Sequence, residues 1–309
     1  MRRPAVYGIA VIAIVAITLT TGIDGTASSA VPRARTAALP SVVSAVRAAR
    51  DGESIPPHLT PPLATIKLFP PRYRISRACL PHRDTTVAPI LHCRVGDAKS
   101  RKLIVLFGDS HAYMWLPAIL IMAKRDHWAV VPVMRFGCTP EKWFTHMGPG
   151  GPICRTWLHW AIGEIRRLHP TVTLIGGSVG ETPSAQTSAA AAGVITAVRT
   201  LEPLSPLVVI GDPEGLSVNS VDCISASHAL ASCMTTWPPS ALAAYDEVSR
   251  GARSLGVGFL PTRGFVCWQR QCPAVVGHTI VWMDTNHLTG IYSAELAPQF
   301  RAAFLRVKP

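Results

Sequence analysis

Five short apolar runs, most of them closed by glycine, constrain this chain more than any other feature. Residues 103–107 read Leu-Ile-Val-Leu-Phe and end at Gly108; residues 128–134, 171–175, 207–210 and 257–260 are similar. Apolar runs of about four to eight residues between turn signals are strands buried on both faces. Between them lie segments with helical spacing of apolar residues: 112–126, 157–168, 185–201, 240–255 and, last, 290–306. Strand–helix alternation predicts a doubly wound parallel sheet, whose sites lie beyond the carboxyl ends of the strands.

The N-terminus predicts that this sheet is exported. Arg2 and Arg3 precede an uncharged stretch over residues 5–23. As a helix that stretch spans roughly 28 Å, close to the thickness of a bilayer core. A basic flank stays in the cytoplasm, so the remainder faces outward. Two readings of residues 1–30 stand: a membrane anchor, favoured by the length of the stretch, or a signal peptide cleaved near Ser28-Ser29-Ala30. Residues 31–74 read as a linker. Pro56-Pro57, Pro61-Pro62 and Pro70-Pro71 favour extended backbone there, with room for one short helix over 41–50. A catalytic domain then occupies 75–309.

Eight cysteines, an even number in an exported chain, predict disulfides: Cys79, Cys93, Cys138, Cys154, Cys223, Cys233, Cys267 and Cys272. Nearest-neighbour pairing is preferred because each loop is short. No C-x-x-C pair or finger-like spacing occurs, so no metal is expected, and no motif calls for a cofactor. The net charge is +12 and the pI about 9.8. The basic residues are scattered and not interleaved with aromatics, which argues against nucleic acid and for a solvated surface near anionic envelope polymers or headgroups.

Two motifs carry chemistry. Gly108-Asp109-Ser110-His111 ends the first strand and opens a helix. A serine there projects into the crevice, and its backbone N–H, at the helix start, suits a developing oxyanion. Asp284-Thr285-Asn286-His287 precedes the last helix. His287 is placed to act as general base and Asp284 to orient its second ring nitrogen. Taken singly, the first motif also fits an ordinary capped turn, and the second a capping Asp with a surface His. Together they supply Ser, Asp and His at the two positions such a fold would bring together.

The stretches 106–112 (Leu-Phe-Gly-Asp-Ser-His-Ala) and 284–289 (Asp-Thr-Asn-His-Leu-Thr) resemble the two ends of an SGNH hydrolase domain. More closely, they resemble the extracytoplasmic SGNH domain attached to acyltransferase-3 type O-acyltransferases of the actinobacterial kind, over roughly residues 75–306. The resemblance implies a flavodoxin-like three-layer α/β/α sandwich with a five-stranded parallel sheet ordered 2-1-3-4-5. It implies Ser110 as nucleophile, His287 as base and Asp284 as its acid, with no metal or cofactor. Gly137 stands near where a second oxyanion donor is expected. The asparagine usual after the third strand is missing: that place reads Ile-Gly-Gly-Ser-Val-Gly over 175–180. Ser178 can offer a hydroxyl there instead, or the site has one donor fewer, a loss of about a hundred- to a thousandfold in rate. Asp109 and His111 are candidate substrate-lining residues, with a structural role for His111 equally open. Trp157 and Trp160 read as core, while Trp237 and Trp268 are candidates to face a sugar.

The function this implies is acyl transfer, chiefly acetyl, to a cell-envelope glycan or glycolipid through an acyl-Ser110 intermediate. With a single candidate span, the chain would rely on a multi-span membrane acyltransferase partner for acyl groups. An esterase or deacetylase acting on an acyl-ester substrate is the alternative, and a non-catalytic glycan-binding module a third.

Overall fold

The computed structural model describes residues 37–66, 69–81, 86–144, 150–179, 184–213 and 216–309. The apolar stretch at 5–23 and the small-residue site at 28–30 lie outside these. Among the described residues no helix is long and apolar enough to cross a membrane.

In chain order the strands are β1 (Val95–Gly96), β2 (Leu103–Gly108), β3 (Ala129–Met134), β4 (Val172–Gly176), β5 (Leu207–Ile210), β6 (Thr235–Thr236), β7 (Gly258–Leu260), β8 (Gln271–Cys272), β9 (Val275–Val276) and β10 (Thr279–Ile280). The central sheet has the order β1-β3-β2-β4-β5-β7. Its five long strands are parallel. They are the five predicted runs in the predicted order. A sixth strand was not foreseen: β1 pairs antiparallel to β3 at the edge. Two residues give no periodic signal, and β1 is set by packing, its Gly96 lying too close to the Trp128 carbonyl for a side chain. β2 and β3 are buried along their whole length, as both-face coverage requires.

The helices are α1 (Pro40–Arg50), α2 (Ser110–Tyr113), α3 (Leu116–Asp126), α4 (Pro140–Trp143), α5 (Gly151–Leu168), α6 (Ser184–Leu201), α7 (Ser220–Ala226), α8 (Pro239–Ser254), α9 (Gly290–Glu295) and α10 (Ala297–Val307). α3, α9 and α10 contact one another, and α4 contacts α5 and α6, which packs on α8. These groups are the outer layers of the sandwich. Two predicted helices are each broken in two. Pro117 in the first turn of α3, and a proline in the first turn of α10, start new helices. α5 begins ahead of the predicted residue 157 because Pro152 nucleates it and Cys154 in its first turns is bonded to Cys138.

Residues 37–74 depart from the linker expectation wherever they are described. In α1, Val42 and Val46 are fully buried. The Leu39 amide donates to the Gly264 carbonyl at 2.9 Å, and Arg47 and Arg50 lie over the Trp268 ring. Ile55, Leu59, Leu63 and Ile66 join Ile224, Val275 and Ile280 in a second hydrophobic cluster. Ile55 donates to the His228 carbonyl and Thr60 to that of His278. Proline-rich composition is compatible with this, since an extended segment can pair its backbone and bury alternate side chains without forming a helix.

All four disulfides join nearest neighbours: Cys79–Cys93, Cys138–Cys154, Cys223–Cys233 and Cys267–Cys272. The Cys138–Cys154 bridge ties the loop after β3 to α5, and so fixes one wall of the region beyond the strand ends.

Candidate active site

The site starts at the carboxyl end of β2, the middle of the sheet. Gly108 has φ +144°, and a Cβ there would lie 1.6 Å from the Gly176 carbonyl oxygen on β4. Only glycine fits, so the chain can turn sharply out of the sheet. Asp109 caps the short helix α2 by accepting from the His111 amide at 2.7 Å. Ser110 is then the first helical residue, half-buried, with an amide that has no acceptor inside the helix.

The second half of the site is the loop between β10 and α9. The Met283 amide donates to the His287 carbonyl, closing the loop on itself. Within it Asp284 Oδ1 accepts from the amides of Asn286 at 2.9 Å and His287 at 2.7 Å. Its other oxygen, Oδ2, lies 2.9 Å from His287 Nδ1, and His287 Nε2 lies 2.9 Å from Ser110 Oγ. Partial burial of Asp284 favours its protonated form, but the His287 hydrogen bond and charge and the two amides outweigh it, leaving the carboxyl below its ordinary value. Asp284 is therefore ionised at neutral pH and can only accept, so Nδ1 carries the proton and Nε2 is the acceptor facing the Ser110 hydroxyl. The structure thus brings together Ser110, Asp284 and His287, 177 residues apart at the extremes.

Asp109 and His111 do not line the crevice. Asp109 is fully buried, and its Oδ2 accepts from the Ser178 amide at 3.0 Å. His111 is 1% exposed, with Nδ1 2.9 Å from Asp212 Oδ1. Asp212 Oδ2 takes the Val179 amide at 2.8 Å. Capping its own helix turns Asp109 back into the protein, and Asp212 and the β4-loop amide of Ser178 hold the two side chains there. Together Asp109, His111 and Asp212 tie the strand-end loops of β2, β4 and β5 into one buried network. Its imidazole packs against His287, ring centroids 4.7 Å apart. Burial pushes Asp109 up to about 6, against the pull of His111 and the two amides and with a further push from Asp212. Asp212 had one signal in the sequence, an acid immediately after a strand end.

Gly137 sits in the loop after β3 at φ +75°, exposed, its carbonyl accepting from Lys142 Nζ at 3.3 Å. The loop is anchored beside the Ser110 turn, since Arg135 donates its amide to the Gly108 carbonyl at 3.0 Å. Ser178 is 2% exposed and its amide is committed to Asp109. Of the tryptophans, Trp157 is core as expected, stacked on Phe107. Trp237 is also buried, at 1% exposure, and Trp268 lies beneath Arg47 and Arg50. Trp237 therefore presents no open face, and Trp268 is half-buried beneath the arginines of α1. Among the described residues no cluster of His, Cys, Asp and Glu is arranged to hold a metal ion.

A family described as "SGNH domain (fused to AT3 domains)" matches residues 78–302. The chain belongs to this SGNH family. Its fold is similar to that of the periplasmic domain of a lipopolysaccharide acetyltransferase from Salmonella ser. Paratyphi A, at 18% identity and a TM-score of 0.57, covering 74% of this chain and 92% of that one. A putative arylesterase from Agrobacterium tumefaciens aligns at 14% identity and a TM-score of 0.44, over 67% of this chain and 99% of the other. No curated protein sequence matches the chain. The family match starts within a residue of Cys79, so α1 and the segment to residue 66 lie outside the matched stretch.

Proposed function

We propose that this SGNH domain is an extracytoplasmic acyl-transfer enzyme that moves an acyl group, most simply acetyl, through Ser110 to a hydroxyl of a cell-envelope glycan or glycolipid. The observation that carries the reading is the relay Ser110 Oγ–His287 Nε2–His287 Nδ1–Asp284, both links at 2.9 Å, at the carboxyl end of the central strand. His287 takes the hydroxyl proton as Ser110 Oγ attacks the acyl carbon, and Asp284 stabilises the imidazolium. The tetrahedral oxyanion is held by the Ser110 amide and by the Gly137 loop, with the Ser178 hydroxyl the weaker candidate because its backbone is turned toward Asp109. His287 returns the proton to the leaving oxygen, giving acyl-Ser110. An acceptor hydroxyl then attacks, giving up its proton to His287, and Ser110 is regenerated with the acyl group on the acceptor.

Support for an acyl acceptor outside the cytoplasm comes from three sides: the family's fusion to AT3 domains, the four disulfides, and the basic apolar N-terminus at 1–30, which anchors the chain or is removed on export. A multi-span membrane acyltransferase partner is the natural source of acyl groups. Hydrolysis is the alternative outcome of the same relay when water replaces the acceptor, and the half-exposed Ser110 and His287 leave water access. The test uses the purified full chain and its Ser110→Ala variant with p-nitrophenyl acetate, with and without oligosaccharide acceptors. Ser110-dependent acetyl-sugar supports transfer, and Ser110-dependent release to water alone supports the esterase. Equal inertness of both proteins toward several acyl esters, alone and with membranes holding the partner, leaves glycan binding as the function.

A further inference from the structure

Two aromatic residues follow the strand ends next to Ser110, Tyr113 on α2 and Phe136 in the loop after β3. Tyr113 is one turn of α2 beyond Ser110, its amide bonded to the Asp109 carbonyl at 3.2 Å. Residues three apart on a helix share a face, with Cβ atoms about 5–6 Å apart. Phe136 comes from the neighbouring strand. In the parallel register Gly108 is paired with Met134. Ser110 and Phe136 are therefore each two residues beyond paired positions on adjacent strands, which lie about 4.8 Å apart. The two rings meet, with centroids 5.1 Å apart at 58°.

Both have buried neighbours. Tyr113 stacks on the buried Phe69 at 4.8 Å and 8°. Phe136 is bracketed by buried residues, Arg135 at 6% and Cys138 at 1% exposure, the latter in a disulfide. Phe136 itself is 48% exposed. A half-bare phenyl ring two residues past the strand position paired with Gly108 offers a face on which another ring can stack. Exposed Arg74 stands alongside, its guanidinium bonded to the Phe69 carbonyl and close enough to act on the Tyr113 hydroxyl.

We propose that Phe136 and Tyr113 form the stacking subsite for a pyranose ring of the acyl acceptor, or of the acylated sugar when the reaction runs as hydrolysis. This rests on the glycan reading above and adds the residues that recognise the sugar. The occupant follows from shape. The platform is open and one-sided, so it covers one apolar face of a ring and leaves the ring's hydroxyls to water, to Arg74 and to Ser110. A long acyl chain needs enclosure. The apolar cavity behind Asp212, walled by Ile175, Val194 and Phe259, has room for about one water molecule, too little for a chain. Trp237 and Trp268, the aromatics that the sequence offered for this role, are buried or covered.

The test separates binding from turnover. Xylotetraose and chitotetraose are titrated by ligand-observed NMR into the full chain carrying Ser110→Ala, with and without Phe136→Ala or Phe136→Trp. Phe136→Ala is expected to weaken the bound oligosaccharide about two- to tenfold, in line with an aromatic stacking contribution of roughly 0.5–1.5 kcal/mol, and Phe136→Trp to retain it. In the Ser110 protein, Phe136→Ala is expected to raise KM for an acetylated oligosaccharide more than it lowers kcat. Unchanged oligosaccharide binding in Phe136→Ala, or no binding of either sugar to the parent protein, overturns the subsite. A change confined to p-nitrophenyl octanoate relative to acetate overturns it in favour of an acyl-chain site. Loss of all Ser110-dependent turnover with Phe136-dependent sugar binding intact sinks the enzymatic reading and leaves the subsite standing.

Discussion

Replacing Asp284 by Asn isolates what the carboxylate contributes. Oδ1 accepts from two amides of its own loop, and an asparagine oxygen in its place can keep both, so the loop is expected to hold its shape. The Nδ2 group then takes the place of Oδ2, 2.9 Å from His287 Nδ1. Two donors cannot face one another, so the imidazole moves its proton to Nε2. That nitrogen lies 2.9 Å from Ser110 Oγ and becomes a donor to the hydroxyl it has to deprotonate. General-base assistance, about 10²–10⁴ in rate, is lost together with the stabilisation of the imidazolium. The expected fall in kcat is about 10⁴, or about 5 kcal/mol of barrier. The assay is Ser110-dependent release from p-nitrophenyl acetate, with thermal unfolding as the control for folding. Adding Ser110→Ala to Asp284→Asn is expected to cost far less than the product of the two single losses, because the groups act as a unit. A loss below about tenfold in a folded variant would refute the reasoning and reduce Asp284 to a loop cap.

Three other outcomes are expected. Gly108→Ala places a methyl 1.6 Å from the Gly176 carbonyl and should cost about 3 kcal/mol or more, read by urea unfolding; a neutral result would mean the β2–β4 contact is looser than described. Asp109 has a raised folded-state pKa, about 6 against an ordinary 3.8. The native state then binds the extra proton between those values, so this group makes stability fall as pH rises from about 4 to about 6, by about 3 kcal/mol in all. Asp109→Asn should remove that fall, and an unchanged pH slope in unfolding experiments would count against a buried, protonating Asp109. Starting the chain at residue 75 removes buried Val42, Val46, Ile66 and Phe69, each worth about 1.5–3 kcal/mol before the entropy of ordering the segment is subtracted. The truncated domain should unfold at a clearly lower temperature, and an equal Tm would return the segment to the status of a linker.

Most of the fold was legible because its signal is one-dimensional. Five apolar runs, most of them ended by a turn residue, define the parallel sheet, and alternation with helices leaves little choice of topology. What escaped depended on contacts between distant parts of the chain. β1 is two residues long and exists through its pairing with β3. α1, foreseen as a short helix over 41–50, has Val42 and Val46 buried and contacts β9 and the Gly264 carbonyl, more than 200 residues away, which composition cannot report. At the site, Ser110 and the Asp284–His287 pair were readable because their spacing and flanking elements are local. The burial of Asp109 and His111 was not, since it is fixed by Asp212 and by amides of the β4 loop. The same holds for Phe136: its meaning comes from standing beside Tyr113 and Ser110, neighbours it lacks in the sequence.

The central claim is that Ser110 carries the acyl group. The direct measurement is to react the full chain with p-nitrophenyl acetate, quench in acid, digest, and locate the adduct by mass spectrometry. The account predicts one acetyl group on the peptide containing Ser110, absent in Ser110→Ala and discharged on adding the acceptor or, more slowly, by water. Turnover that persists in Ser110→Ala, or an acetyl group found only on other residues, would contradict it.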